Sequence, residues 1–144
     1  MKKIGLAIAG AILAIGSMAS IANEYEDQVE LQLLLVQNAM EGQGYDSTHD
    51  FFIDQLRQGG SDQIAVELDA GWDYQIVSVC DADCGDLDLS VYDARGRKVD
   101  SDKSDDDVPV VTVSPSSTQQ YTLKVEMYHC QDNPCYYGIA VFGK

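Results

Sequence analysis

Basic residues are scarce. Nine Lys and Arg stand against 24 Asp and Glu in 144 residues, a formal charge of −15 at pH 7. A surface so short of cations repels nucleic acid and anionic lipid, which excludes a nucleic-acid-binding role and favours cations or basic partners. Tryptophan occurs once, as Trp72, and histidine twice, as His49 in "STHD" and His129 in "MYHC". Neither His comes with a Gly-x-Ser-x-Gly nucleophile motif, so they read as a turn His and a disulfide-loop His, and no enzyme is expected. No uncharged apolar run reaches the roughly 20 residues of a spanning helix. Long linkers, low-complexity tracts and internal repeats are also missing.

What is present begins with "MKKIGLAIAGAILAIGSMASIAN": two lysines, an apolar run from Ile4 to about Ala19, then small residues at Ser20 and Ala22. That order is the grammar of a secretory signal peptide over residues 1–22, cleaved after Ala22 and leaving no stable membrane insertion. No Cys lies near its end, so a lipid-modified N-terminus is not expected. The remaining 122 residues suit one domain. Without Lys2 and Lys3, seven basic residues face 24 acidic ones, a charge of −17.

The four cysteines form two close pairs in a chain read as exported, where oxidation is the norm. Cys80 with Cys84 and Cys130 with Cys135 is the favoured connectivity, each pair flanking turn formers, "DAD" and "QDNP". Their x3 and x4 spacings miss the commonest zinc-knuckle spacing, so zinc is disfavoured.

Residues 23–44 are rich in helix formers, with Val29, Leu33, Val36 and Met40 at helical spacing before a Gly-Gln-Gly stop. A helix of about four turns is expected, its apolar side on the domain. From Phe51 onward the period becomes two: "IAVEL", "WDYQIVSV", "DLDLSVYD", "VPVVTV", "YTLKVEM" and "YYGIAVF". Short strands between Gly, Pro and Asp turns, with no helical crossovers, predict a mainly β protein: an antiparallel β-sandwich or jelly roll of about eight strands over residues 45–144.

Laid out in order, "SDQIAVELDAGWDYQI", "DLDLSVYDARGRKV", "PVVTVSPSSTQQYTLKVEM" and "YYGIAVF" resemble the bacterial pre-peptidase C-terminal domains. These are small β-sandwiches appended to secreted proteases and other exported enzymes. The resemblance runs from about Ser61 to Phe142 and is most specific in "DLDLSVYDARG". It implies a non-catalytic module that assists, targets or stabilises a secreted enzyme, with calcium bound in some relatives. The departure is that no catalytic domain precedes the module in this sequence.

Residues 79–107 carry ten aspartates. In a strand that points Leu87, Leu89 and Val91 inward, Asp86 and Asp88 point outward together. Asp81 and Asp83 sit in the neighbouring turn, and the loop "DSDKSDDD" with Asp105, Asp106 and Asp107 can fold back toward them. These seven are the candidate calcium ligands. An EF-hand is excluded, because Gly at loop position six and Glu at position twelve are missing. Against Arg95, Arg97, Lys98 and Lys103 the run keeps a charge of −6, and its plainest reading is a solvated edge that discourages strand-to-strand aggregation. Of the late tyrosines, Tyr121 is expected inward, and only one of Tyr136 and Tyr137 outward; with Tyr128 they are read as core or edge packing before ligand contact.

Together these readings describe a periplasmic or secreted, non-catalytic binding or accessory module whose partner is a protein or polysaccharide, with calcium as its one candidate cofactor. An envelope assembly subunit is the alternative, and a hydrolase using paired aspartates the lesser one.

Overall fold

The computed structural model describes the chain from residue 17, and its side chains from residue 24. The expected leader therefore lies outside the described residues, apart from its last six positions. These belong to helix α1, Ser17–Glu41, which starts earlier than residue 23. No helix among the described residues is long and apolar enough to cross a membrane.

The face bearing Val29, Leu33 and Met40 is buried, with Val36 partly so. The helix stops because Gly44 takes a left-handed φ of 83°. There the Tyr45 N–H bonds the Met40 carbonyl (3.1 Å) and the Gly44 N–H bonds that of Glu41 (3.0 Å). Tyr45 and Met40 then share one apolar cluster, the hydrophobic contact that accompanies this Schellman ending. Leu31, Leu34 and Leu35 are exposed.

Nine strands follow: β1 Asp46–Ser47, β2 Phe52–Leu56, β3 Ser61–Leu68, β4 Tyr74–Cys80, β5 Cys84–Tyr92, β6 Lys98–Asp102, β7 Val110–Val113, β8 Gln119–Cys130 and β9 Cys135–Gly143. They form two antiparallel sheets. In the first, β9 pairs with β4, which pairs with β7, while β1 and β2 both lie along the other side of β9; the second runs β3-β8-β5-β6. The fold is thus the expected β-sandwich, with nine strands where about eight are expected; β1, β2 and β6 lie outside the six strand segments quoted from the sequence. Strand β6 occupies part of what reads in sequence as loop, because Asp100 and Ser101 find register partners in Val91 and Ser90 of β5.

Between the sheets lies the main core, where Ile76, Val111, Tyr137, Ile139 and Val141 meet Leu87, Leu89, Val91, Leu123, Val125 and Met127. On the outer face of the first sheet, Val77, Val79, Ala140 and Phe142 carry α1. Strands β4 and β9 are therefore covered on both faces, which is why "IVSV" and "GIAVF" are almost continuously apolar while β8 alternates. Helix and sheet approach most closely at Gly138, where a Cβ would stand 2.7 Å from both Leu33 Cδ1 and Val29 Cγ1. Disulfides Cys80–Cys84 and Cys130–Cys135 close the β4–β5 and β8–β9 turns.

Candidate functional site

The aspartate run divides into carboxylates that cap the chain's own backbone and carboxylates that do not. Asp81 is buried at the β4–β5 turn, where Oδ1 accepts the Asp83 N–H (3.0 Å) and Oδ2 the Tyr136 N–H of β9 (2.7 Å). Burial pushes its carboxyl above the ordinary Asp value, opposed by those two N–H donors. Asp93 accepts the Arg95 and Arg97 N–H groups in the β5–β6 turn, and the Arg97 N–H leads the causes that hold its carboxyl below the ordinary value. Asp100 and Asp102 reach from β6 to β7: Asp100 Oδ2 accepts the Thr112 N–H (2.8 Å) and Asp102 Oδ2 the Val110 N–H (3.0 Å). Asp106 Oδ1 accepts the Val108 N–H. Half of the run, five aspartates of ten, thus satisfies backbone donors.

Of the seven candidate ligands, Asp81 and Asp106 belong to this capping set. Asp83 lies apart, toward the helix, where hydrogen bonding and then charge from it push the Tyr25 hydroxyl up. Asp86, Asp88 and Asp105 come together on the outer face of the second sheet, because the Leu87 N–H bonds the Asp106 carbonyl (3.0 Å) and brings the 103–107 loop against β5. Asp107 is exposed at the end of that loop.

Asp86 is only 8 % exposed, and its Oδ1 is buried with no hydrogen-bond partner. Burial, then the charges of Asp88 and Asp105, push its carboxyl up. Asp88 is raised too, by burial first, with Lys103 opposing and Glu126, its cross-strand partner, reinforcing. Lys124 Nζ (2.9 Å) and Lys103 Nζ (3.3 Å) hold Glu126, and the bond from Lys124 leads the causes that lower its carboxyl. Asp88, Glu126 and Lys103 line a cleft of ≈ 410 Å³ walled by Gln58, Gly59, Gly60 and Tyr128. Two carboxylates shifted in opposite directions are the raw material of acid–base chemistry. They are an Asp and a lysine-bound Glu, however, and the paired aspartates of the sequence reading do not face one another across this cleft.

This arrangement can receive a cationic group: one buried, unpaired carboxylate oxygen, two neighbouring carboxylates and a polar cleft beside them. Among the described residues, no group of three or more His, Cys, Asp or Glu is arranged to hold a metal ion. Both ring nitrogens of His49 are engaged, Nδ1 with Thr48 and Nε2 with the Glu67 carbonyl. Tyr121 and Tyr137 are buried, Tyr136 is half-buried and Tyr128 is 71 % exposed. Sequence reasoning missed Glu126 and Lys124, although the period-two alternation of "YTLKVEM" places both on the face opposite Leu123 and Val125.

No family model matches the chain, and no curated protein matches it. Solved structures do. The chain is similar to PliG of Aeromonas hydrophila, a periplasmic inhibitor of g-type lysozyme, at 9% identity and a TM-score of 0.50, over 66% of this chain and 85% of that one. A likeness of TM-score 0.49 and 12% identity to the pre-peptidase C-terminal domain of a Bacillus anthracis collagenase spans 64% of this chain and 87% of that one. The likeness to the inhibitor concerns the fold.

Proposed function

We propose that this protein is an exported, non-catalytic binding module that docks a basic protein partner on the outer face of its second sheet. The observation that carries this reading is Asp86, a buried carboxylate with an unpaired oxygen among like charges. A Lys or Arg brought by a partner supplies the missing counter-charge. A chain of formal charge −15 steers such partners toward itself. Two disulfides fit an oxidising, extracytoplasmic compartment, and the lysozyme inhibitor of similar fold lives and works in one. Signal-peptide cleavage after Ala22 and kinship with pre-peptidase C-terminal domains belong to the same reading.

Surface plasmon resonance against a set of basic secreted proteins, g-type lysozyme included, tests it. At least one should bind, with affinity falling about tenfold or more between about 0.05 and about 0.5 M salt. Asp86→Asn should raise the melting temperature, by removing repulsion, while weakening that binding. Loss of stability in Asp86→Asn, or binding indifferent to both salt and the substitution, would refute the docking site.

Calcium is the second ligand proposed for the same carboxylates, with Asp86, Asp88 and Asp105 as its nearest donors. At fixed ionic strength, calcium at 100 times its dissociation constant adds about 2.7 kcal/mol of stability, and magnesium, with its stricter octahedral demand, adds less. Equal melting temperatures in the two salts, with no calorimetric heat for calcium, would leave the cluster to protein ligands alone.

The assembly-subunit alternative rests on the exposed Leu31, Leu34 and Leu35 of α1. Sedimentation velocity at rising concentration distinguishes it, since self-polymers dispersed by Leu34→Glu would favour assembly over docking.

A further inference from the structure

The two open sides of the sandwich are finished differently. Where β6 lies beside β7, Asp100 and Asp102 occupy the outward N–H groups of β7 and seal that side. On the opposite side β2 and β3 are both edge strands, and neither bonds the other.

The Gly60 carbonyl bonds the Met127 N–H of β8, so alternation turns the main-chain groups of Ser61, Gln63, Ala65 and Glu67 away from β8. Asp62 Oδ1 takes the Gln63 N–H (2.8 Å), and His49 Nε2 meets the Glu67 carbonyl (3.0 Å). Four consecutive edge groups stay open between these two caps: the Gln63 C=O, the Ala65 N–H and C=O, and the Glu67 N–H. Beside them the sheets part over an apolar cavity of ≈ 280 Å³, with Phe52 and Ile139 on one wall and Ile64, Val66 and Leu123 on the other. Ile64 and Val66 are only half-buried there, unlike the inward residues of the central strands. Of the charged groups around the opening, Asp50 lines it, Asp54 lies on β2 and Glu67 flanks the exposed edge, while Lys124, opposite Gln63 on β8, is held by Glu126.

We infer that this notch takes an extended segment of a partner protein, about five residues long, in which basic and apolar residues alternate. A residue set antiparallel opposite Ala65 exchanges two main-chain hydrogen bonds with it, and its neighbours two positions away reach the Gln63 C=O and the Glu67 N–H. The residues on either side of the central one point their side chains inward, as Ile64 and Val66 do, and fill the cavity. Basic side chains at the alternate positions point to the outer face, where Glu67 flanks the edge, on a chain of formal charge −15. A segment of this pattern suits the basic partner proposed above, on which the inference rests, but it engages the β3 edge of that sheet and not the Asp86 site on its outer face.

The probe is the blocked pentapeptide acetyl-Lys-Leu-Lys-Leu-Lys-amide, followed by NMR on the full chain. It should bind saturably and slow amide exchange at Ala65 and Glu67. Methylating its central nitrogen, which removes one of the bonds to Ala65 and crowds the approach, should weaken it about tenfold or more. Ala65→Pro should do the same while leaving the fold intact, because proline is tolerated on an edge strand where the N–H faces outward. Glutamate in place of the three lysines should abolish binding. Equal binding of the methylated or the glutamate peptide would overturn the inference, and so would a concentration-dependent dimer that Ala65→Pro dissolves, or octanoate binding in the cavity in the peptide's place. Salt-sensitive binding of a basic protein that persists in Ala65→Pro, with no peptide bound by the unaltered chain, refutes this notch alone; peptide binding with no basic protein captured refutes the docking face alone.

Discussion

Replacing Gly138 with alanine should destabilise the protein by about 2–3 kcal/mol, a large effect for one methyl group. The added Cβ would sit 2.7 Å from Leu33 Cδ1 and Val29 Cγ1, well inside van der Waals contact, on a strand held on both sides by β2 and β4. Since β9 cannot retreat, the helix must. Leu33 is fully buried, and Leu33→Ala should itself cost about 3 kcal/mol through lost burial and the cavity left behind. The two changes act on one space, so the double variant should be less destabilised than the sum of the singles by about 1 kcal/mol or more. Urea denaturation of the four proteins measures this cycle. Strict additivity, or a neutral Gly138→Ala, would mean that α1 does not depend on this close approach.

Asp81→Ala should cost about 2–4 kcal/mol, because it strands the Asp83 and Tyr136 N–H groups and loosens the β4–β5 turn from β9. Asp81→Asn keeps one acceptor and should cost less. The wild-type pH profile separates the carboxylates raised by burial from those lowered by their hydrogen-bond partners. Asp81, Asp86 and Asp88 have folded pKa values raised above 3.8, so their stabilising contribution is complete below 3.8 and is lost as pH rises through the raised values. Asp93 and Asp102, lowered from 3.8, and Glu126, lowered from 4.5, contribute above those values and lose their contribution as pH falls through the lowered ones. Thermal melts should therefore show greatest stability on the mildly acidic side of neutrality. Asp86→Asn should flatten the decline toward neutral pH and leave the acid limb unchanged; a profile rising steadily to pH 8 would contradict this assignment.

Local pattern in the sequence was enough for much of this molecule. Val29, Leu33, Val36 and Met40 name the helix face that docks, and the glycine at 44 ends it. Alternation in "DLDLSVY" and "YTLKVEM" assigns Leu87, Leu89, Leu123 and Val125 to the core, and with them the sandwich. These are consequences of periodicity and composition, which act over a few residues. Strand β6 escaped that reading because "KVDSD" has little strand propensity of its own, and its conformation follows from pairing with β5. The burial of Asp86 was equally hidden: alternation turns it outward, and only the 103–107 loop, crossing from twenty residues further along the chain, covers it. Which aspartates cap backbone and which stand unpaired, which sandwich edge is sealed and which stays open, and why residue 138 is glycine all depend on segments far apart in sequence meeting at distances of 2.7 to 3.1 Å. Tertiary structure alone decides such matters, because a hydrogen bond or a steric contact exists only where two surfaces meet, and no local pattern records that meeting.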